Sequence, residues 1–176
     1  LHRLVEGRPL VLGGVTVPSE RGALGHSDAD VVCHAVTDAI LGAACAGDIG
    51  QLFPDTAAEW KDASSMDLLA RALARLRDDG WVVGNVDVVI IAERPKMAPH
   101  VPAMRTSLAA VLGIAAGAVS IKAKTNEGLD AQKDISKVYN LMSQIYEVTP
   151  VDLATQTSIA DDLDAGWLHG LKVVAV

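Results

Sequence analysis

The stretch GHSDADVVCHAVTDAILGAACA, residues 25–46, decides how this chain is read. Its first ten positions hold two histidines and two aspartates, and the rest is almost wholly apolar. Ser27, ahead of Asp28 and Asp30, reads as an N-cap with acids in the first helical turn, where they suit the helix dipole. The helix is expected to run on to Ala46. Asp30, His34 and Asp38 recur at four-residue spacing and share one face, while Val31, Ala35 and Leu41 turn toward a core.

Upstream, RPLVLGGVTVP reads as two short strands around Gly13-Gly14, closed by a two-residue turn. SERGALGH follows as loop. Downstream, AGDIGQLFPDT (46–56) is a connection broken by Gly and Pro that displays Asp48 and Asp55. A second helix is expected from Ser65 to Asp79, with Met66, Leu69, Leu73 and Leu76 as its apolar stripe and Gly80 as its stop. WVVGNVDVVIIA is apolar on both alternating faces, which suits a central strand. Pro95 and Pro99 bracket the loop ERPKMAPH, Pro102 starts a helix through Leu112, and Gly113 ends it. AVSIKAK alternates as another strand and stops at TNEGLD. Beyond Asp130, Ile135, Val138, Tyr139, Met142, Ile145 and Tyr146 trace a helical stripe, and GLKVVAV reads as a closing strand.

Composition narrows the function classes. A chain of 176 residues has room for one ordinary domain. Half of it is hydrophobic, with only 3% aromatics, a balance that fits an α/β fold of helices packed on a sheet. The net charge of −7 argues against broad nucleic-acid binding, which needs a basic face. No apolar run reaches bilayer length, and LHRLVEGRPLVLGG lacks the regions of a signal peptide, so the expectation is a cytoplasmic protein with no membrane partner. Cys33 and Cys45 lie in one apolar helical segment without metal or redox spacing and are expected as buried free thiols.

The polar residues admit two readings each. A helical His beside acids is commonly structural, but a catalytic divalent ion wants about three N/O ligands and an open position. His2, just before the first strand, could supply a second imidazole to His34. Asp48 and Asp55 either cap turns or grip polyol hydroxyls. Lys96 is either an exposed charge on a stiff turn or a phosphate partner. Thr125 and Glu127 either close a turn or hold a phosphate oxygen and a Mg²⁺ ion.

Taken in order, LGGV, GHSDADVVCHAVTDAILGAACAGDIGQLFPD, GNVDVVIIAERPKMAPHVPAMR and IKAKTNEGL closely resemble the 2-C-methyl-D-erythritol 2,4-cyclodiphosphate synthases, over about residues 2–129. The resemblance implies a lyase of non-mevalonate isoprenoid (terpenoid) biosynthesis. Its substrate would be 4-diphosphocytidyl-2-C-methyl-D-erythritol 2-phosphate, cyclised with release of CMP. It also implies a mixed β-sheet with helices on one face, in a homotrimer whose sheets turn toward the threefold axis and whose sites lie at subunit boundaries.

By position, His2 and His34 match ligands of Zn²⁺ or another divalent transition metal, and Glu127 matches the holder of a Mg²⁺ or Mn²⁺ ion. His26 and Thr125 match the pair that stabilises the transition state, with Ser27 beside His26 in the same substrate loop. Asp48, Ile49, Gly50, Phe53, Pro54, Asp55 and Thr56 match the segment around the methylerythritol. Ala92, Pro95, Lys96, Met97 and Ala98 match the cytidine diphosphate pocket, and Lys124 and Asn126 flank Thr125 as substrate-binding positions.

Two features depart from the family pattern. The family's third zinc ligand, an Asp two positions before His2, falls ahead of Leu1. After Leu129, Ala131, Lys133 and Asp134 stand where a Phe and a Gly-Arg pair are usual, and an acid there opposes a diphosphate. Residues 1–129 are accordingly expected as the synthase-like domain and 130–176 as a divergent segment completing it. The second functional reading is a synthase-like trimer that binds cytidine nucleotides without turnover.

Overall fold

Asp30, fully buried, is the hub on which the N-terminal half is built. The computed structural model describes residues 2–125 and the strand backbones at 139–140, 143–145 and 173–175. Strands β1 (Leu4–Glu6), β2 (Leu10–Leu12), β3 (Val15–Val17) and β4 (Arg21–Ala23) precede helix α1 (Val31–Ala43). β2 and β3 form the expected hairpin, with Leu12 opposite Val15. Its turn residues Gly13 and Gly14 take φ of +57° and +74°, values that a side chain would resist. The Asp30 carboxylate accepts from Gly13 N (2.9 Å) and Gly14 N (2.6 Å), and also from Val32 N (3.0 Å) and Cys33 N (3.1 Å). One side chain therefore caps α1 and fastens the hairpin to it.

This corrects the expected cap. Asp30, not Ser27, is the N-cap, and the first turn of α1 carries no acid. Ser27 instead sits buried ahead of the helix, its Oγ accepting from Ala29 N at 3.2 Å. SERGALGH is likewise not all loop, because Arg21–Ala23 pairs antiparallel with Leu4–Glu6. α1 ends at Ala43, and Cys45 beyond it is exposed with φ +53°, whereas Cys33 is buried as expected.

A short helix α2 (Ile49–Leu52) follows inside the segment read as loop, capped by Asp48. Helix α3 (Ser65–Asp78) buries Leu68, Leu69, Ala72, Leu73 and Leu76, while Met66 is only partly covered. Strand β5 (Val86–Ile91) pairs parallel with β6 (Val119–Lys124), and between them runs α4 (Val101–Leu112), closed by left-handed Gly113. Across β5's other edge lies β7 (Tyr139–Asn140), antiparallel, so the sheet order β6-β5-β7 is mixed. β8 (Ser143–Ile145) pairs with β9 (Val173–Ala175). Residues 139–140 and 143–145 are thus strand, not the helix their spacing suggested; the rest of that stripe lies outside the described residues.

The architecture is α/β, with α1 packed on β5, α3 between α1 and α4, and α4 on β6. Val86, Val88 and Ile90 are buried on one face of β5, and Val89 and Ile91 are half-covered on the other. Among the described residues no helix is long and apolar enough to cross a membrane.

Candidate functional site

Two imidazoles meet where β1 begins beside α1. His2 Nε2 lies 2.9 Å from His34 Nδ1, and the rings stand edge to face with centroids 5.0 Å apart. β1 carries His2 there because its pairing with β4 aligns Leu4 with Ala23. α1 carries His34 because the Asp30 cap fixes where the helix begins.

The far nitrogen of His34, Nε2, lies 2.8 Å from Ser65 Oγ and 3.2 Å from Ser27 Oγ. Ser65 starts α3 and is fully buried. Its hydroxyl donates to Asp28 Oδ1 in a short hydrogen bond, and its N–H donates to Asp28 Oδ2 at 3.1 Å. Burial, reinforced by His2, pushes the His34 imidazole down to a pKa of about 4, and burial likewise lowers His2. Both rings are therefore neutral near pH 7, the state in which imidazole binds a metal ion.

The loop before α1 is tied on both sides. Asp62 N donates to His26 O (2.8 Å) and Asp28 N to Ala63 O (3.0 Å), while Arg8 Nη2 donates to Ser27 O at 2.8 Å. His26 Nε2 donates to Ala57 O at 3.1 Å. Around this floor opens a cleft of about 570 Å³ lined by His2, His26, Ser27, His34, Ile49, Gly50, Phe53, Pro54, Asp55 and Thr56 among others. That volume lies within the range of small-molecule sites. Phe53 and Trp60 meet edge to face at 5.1 Å, with the Arg71 guanidinium 5.5 Å over the indole, and these two rings form its apolar wall.

Ten of the sequence-derived site residues therefore gather in one cleft. Asp48 does not line it: its carboxylate accepts from Gln51 N at 2.9 Å and Gln51 Nε2 at 2.8 Å. A second group collects at the C-terminal ends of the parallel strands. Ala92 N donates to Lys124 O at 2.9 Å, extending the ladder beyond Ile91. Ala92, Pro95, Lys96, Met97, Ala98, Lys124 and Thr125 belong to this group, and none of them lines the histidine cleft of the same chain. The carboxyl ends of parallel strands are where α/β sheets take ligands. Asn126 and Glu127 lie outside the described residues. Among those described, no group of three or more His, Cys, Asp and Glu side chains is placed to hold an ion.

Sequence reading overlooked Ser65 and Trp60, and it took Asp28 for a helix acid only. Ser65 looks like any polar residue at a helix start. Nothing local announces that it meets a histidine 31 positions away.

A family model described as the YgbB family matches residues 1–144. A 2-C-methyl-D-erythritol 2,4-cyclodiphosphate synthase of Chromobacterium violaceum is 61% identical over 129 residues, 73% of this chain and 82% of that protein. The enzyme of the same name from Neisseria gonorrhoeae is 60% identical over 129 residues, 73% and 81% of the two chains. A solved structure of such a synthase in a CDP-bound form superposes with a TM-score of 0.69 at 42% identity, covering 73% of this chain and 85% of its own.

Proposed function

The chain belongs to the YgbB family of 2-C-methyl-D-erythritol 2,4-cyclodiphosphate synthases, and from that premise we propose that its histidine cleft and its strand-end loop act on one substrate, each supplied by a different copy. The reaction is the cyclisation of 4-diphosphocytidyl-2-C-methyl-D-erythritol 2-phosphate in non-mevalonate isoprenoid biosynthesis. An oxygen of the 2-phosphate bonds to the β-phosphorus, the bond from that phosphorus to the bridging oxygen breaks, and CMP leaves with the electron pair. No protein nucleophile is needed, because the attacking oxygen is already anionic. What the protein must supply is a folded substrate and relief from charge repulsion at phosphorus.

The observation that carries the reading is the pair of neutral ring nitrogens 2.9 Å apart at the cleft floor. Two nitrogens on a tetrahedral ion at 2.0–2.1 Å stand about 3.3 Å apart, so the two rings, 2.9 Å apart, need part by only a few tenths of an ångström to take a divalent transition metal such as zinc. His2 and His34 would hold it; when bound, such an ion supplies Lewis-acid polarisation of a phosphate oxygen. Glu127 is the proposed holder of a Mg²⁺ or Mn²⁺ ion. His26, anchored through Nε2 to Ala57 O, and Ser27 border the cleft as phosphate-facing groups. Phe53, Pro54 and Thr56 wall the cleft and exclude water from the methylerythritol. Asp55 grips its hydroxyls, and Asp48 acts from behind by capping α2.

At the other half-site, Lys96 and Lys124 face the diphosphate, Thr125 orients it, and Ala92, Pro95, Met97 and Ala98 shape the cytidine pocket. That a relative binds CDP supports a cytidine nucleotide as the ligand. A homotrimer is consistent with the division: one chain's cleft lacks the loop, and the half-covered Val89 and Ile91 face is one that other copies would cover. No observation favours nucleotide binding without turnover. ³¹P NMR of the chain incubated with the diphosphocytidyl substrate, Zn²⁺ and Mg²⁺ tests the reading. Cyclodiphosphate and CMP should appear one to one, and unchanged substrate at saturating enzyme contradicts it.

A further inference from the structure

The hydrogen bonds behind His34 form a chain whose donors and acceptors can be counted. A carboxylate only accepts, so the short contact between Ser65 and Asp28 takes the single proton of the Ser65 hydroxyl. Ser65 Oγ then has only lone pairs left for its neighbours. His34 Nε2, 2.8 Å away, must carry a proton, or two lone pairs would face each other in a buried site. Ser27 Oγ completes the account: it accepts from Ala29 N and lies 3.4 Å from Ser65 Oγ, to which it can donate. With the ring neutral, Nδ1 is bare, and it is Nδ1 that faces His2 at 2.9 Å.

We infer that Asp28, acting through the Ser65 hydroxyl, fixes His34 in the tautomer with its proton on Nε2 and its Nδ1 lone pair turned to His2. Asp28 and Ser65 are positioning residues: they touch no substrate, and they decide which nitrogen of His34 is available as a ligand. Partners of this kind behind a ligating histidine commonly set affinity by 10–100-fold. Their own positions are over-determined. Asp28 also accepts from Asp30 N (3.1 Å) and Ser65 N (3.1 Å), so the N-terminal ends of α1 and α3 hold the carboxylate from two directions. The inference extends the metal reading above and rests on it for its affinity consequence, though not for the tautomer itself.

The test uses the full chain labelled with ¹⁵N-histidine, metal-free, together with Asp28→Asn and Ser65→Ala. In the parent chain His34 should show a protonated, pyrrole-type Nε2 and a bare, pyridine-type Nδ1. In Asp28→Asn the new amide can donate to Ser65, whose hydroxyl proton is then free to turn to Nε2. In Ser65→Ala the Ser27 hydroxyl can do the same. Both variants should shift proton occupancy toward Nδ1 and bind Co²⁺ about 10–100-fold more weakly, with unfolding cooperativity retained. A parent His34 protonated on Nδ1, or variants with unshifted ¹⁵N signals and Co²⁺ affinities within about twofold of the parent, overturns the inference. Should the parent chain take up no Co²⁺ while its signals match the Nε2–H form, the metal reading fails and the tautomer assignment stands.

Discussion

Replacing Asp30 with Ala removes the acceptor for four backbone N–H groups at once. Those of Gly13, Val32 and Cys33 make buried bonds of 2.9, 3.0 and 3.1 Å, and that of Gly14 a partly buried one of 2.6 Å. An orphaned buried donor costs about 1–3 kcal/mol, and a lost N-cap alone about 0.5–2 kcal/mol. Burial pushes the Asp30 carboxyl up against the pull of those same N–H groups, so part of the loss is offset by no longer burying a charge. Four orphaned donors at about 1 kcal/mol each, less that relief, leave roughly 3 kcal/mol, a large share of an ordinary domain's stability. At fixed protein concentration the urea midpoint should fall by about 1–2 M with an unchanged slope. Asp30→Asn keeps one acceptor oxygen and should fall by about half as much. A loss below about 1 kcal/mol in Asp30→Ala would refute the claim that this carboxylate holds hairpin and helix together.

In metal-free protein, stability should be full above pH 6.5 and decline toward pH 4, because His34, depressed by burial and by His2 to about 4, charges more readily in the unfolded chain. The shift is worth roughly 3 kcal/mol, and His2 acts in the same direction; urea midpoints independent of pH across that window would contradict it. Gly22→Ala should destabilise by about 3 kcal/mol or more, since its Cβ would lie 2.1 Å from Pro9 O and 2.3 Å from Arg8 O; an unchanged melting temperature would count against the β1–β4 register that places His2. Lys96→Ala should weaken CDP binding about tenfold with kcat retained, and equal affinity by calorimetry would remove Lys96 from the nucleotide pocket.

The elements legible in the sequence were those whose cause is local. Gly13-Gly14 announced the hairpin, Leu69, Leu73 and Leu76 the face of α3, and Gly113 the end of α4. What was misread depended on distant partners. Ser27 and Asp30 are equally good caps by residue type, and the choice fell to Asp30 because the hairpin turn, 16–17 residues away, also needed an acceptor. Arg21–Ala23 has no strand pattern of its own and is strand only through β1. Tyr139 and Ile145 suit either period, and the free edge of β5 and strand β9 drew their neighbourhoods into sheet. The cleft was legible because its residues fall in two short motifs; the Asp28–Ser65 support was not, since it joins residues 37 apart.

The division of the site between copies is tested most directly by complementation. His34→Ala disables the cleft and leaves the strand-end loop, while Lys96→Ala combined with Thr125→Val disables the loop and leaves the cleft. Co-expressed in equal amounts under two tags, each inactive alone, they should assemble at random into trimers. At about a quarter of the boundaries an intact cleft then meets an intact loop, so about a quarter of the parent rate of CMP release should return. A mixture as inactive as its components would place both halves of the site within one chain and contradict the account.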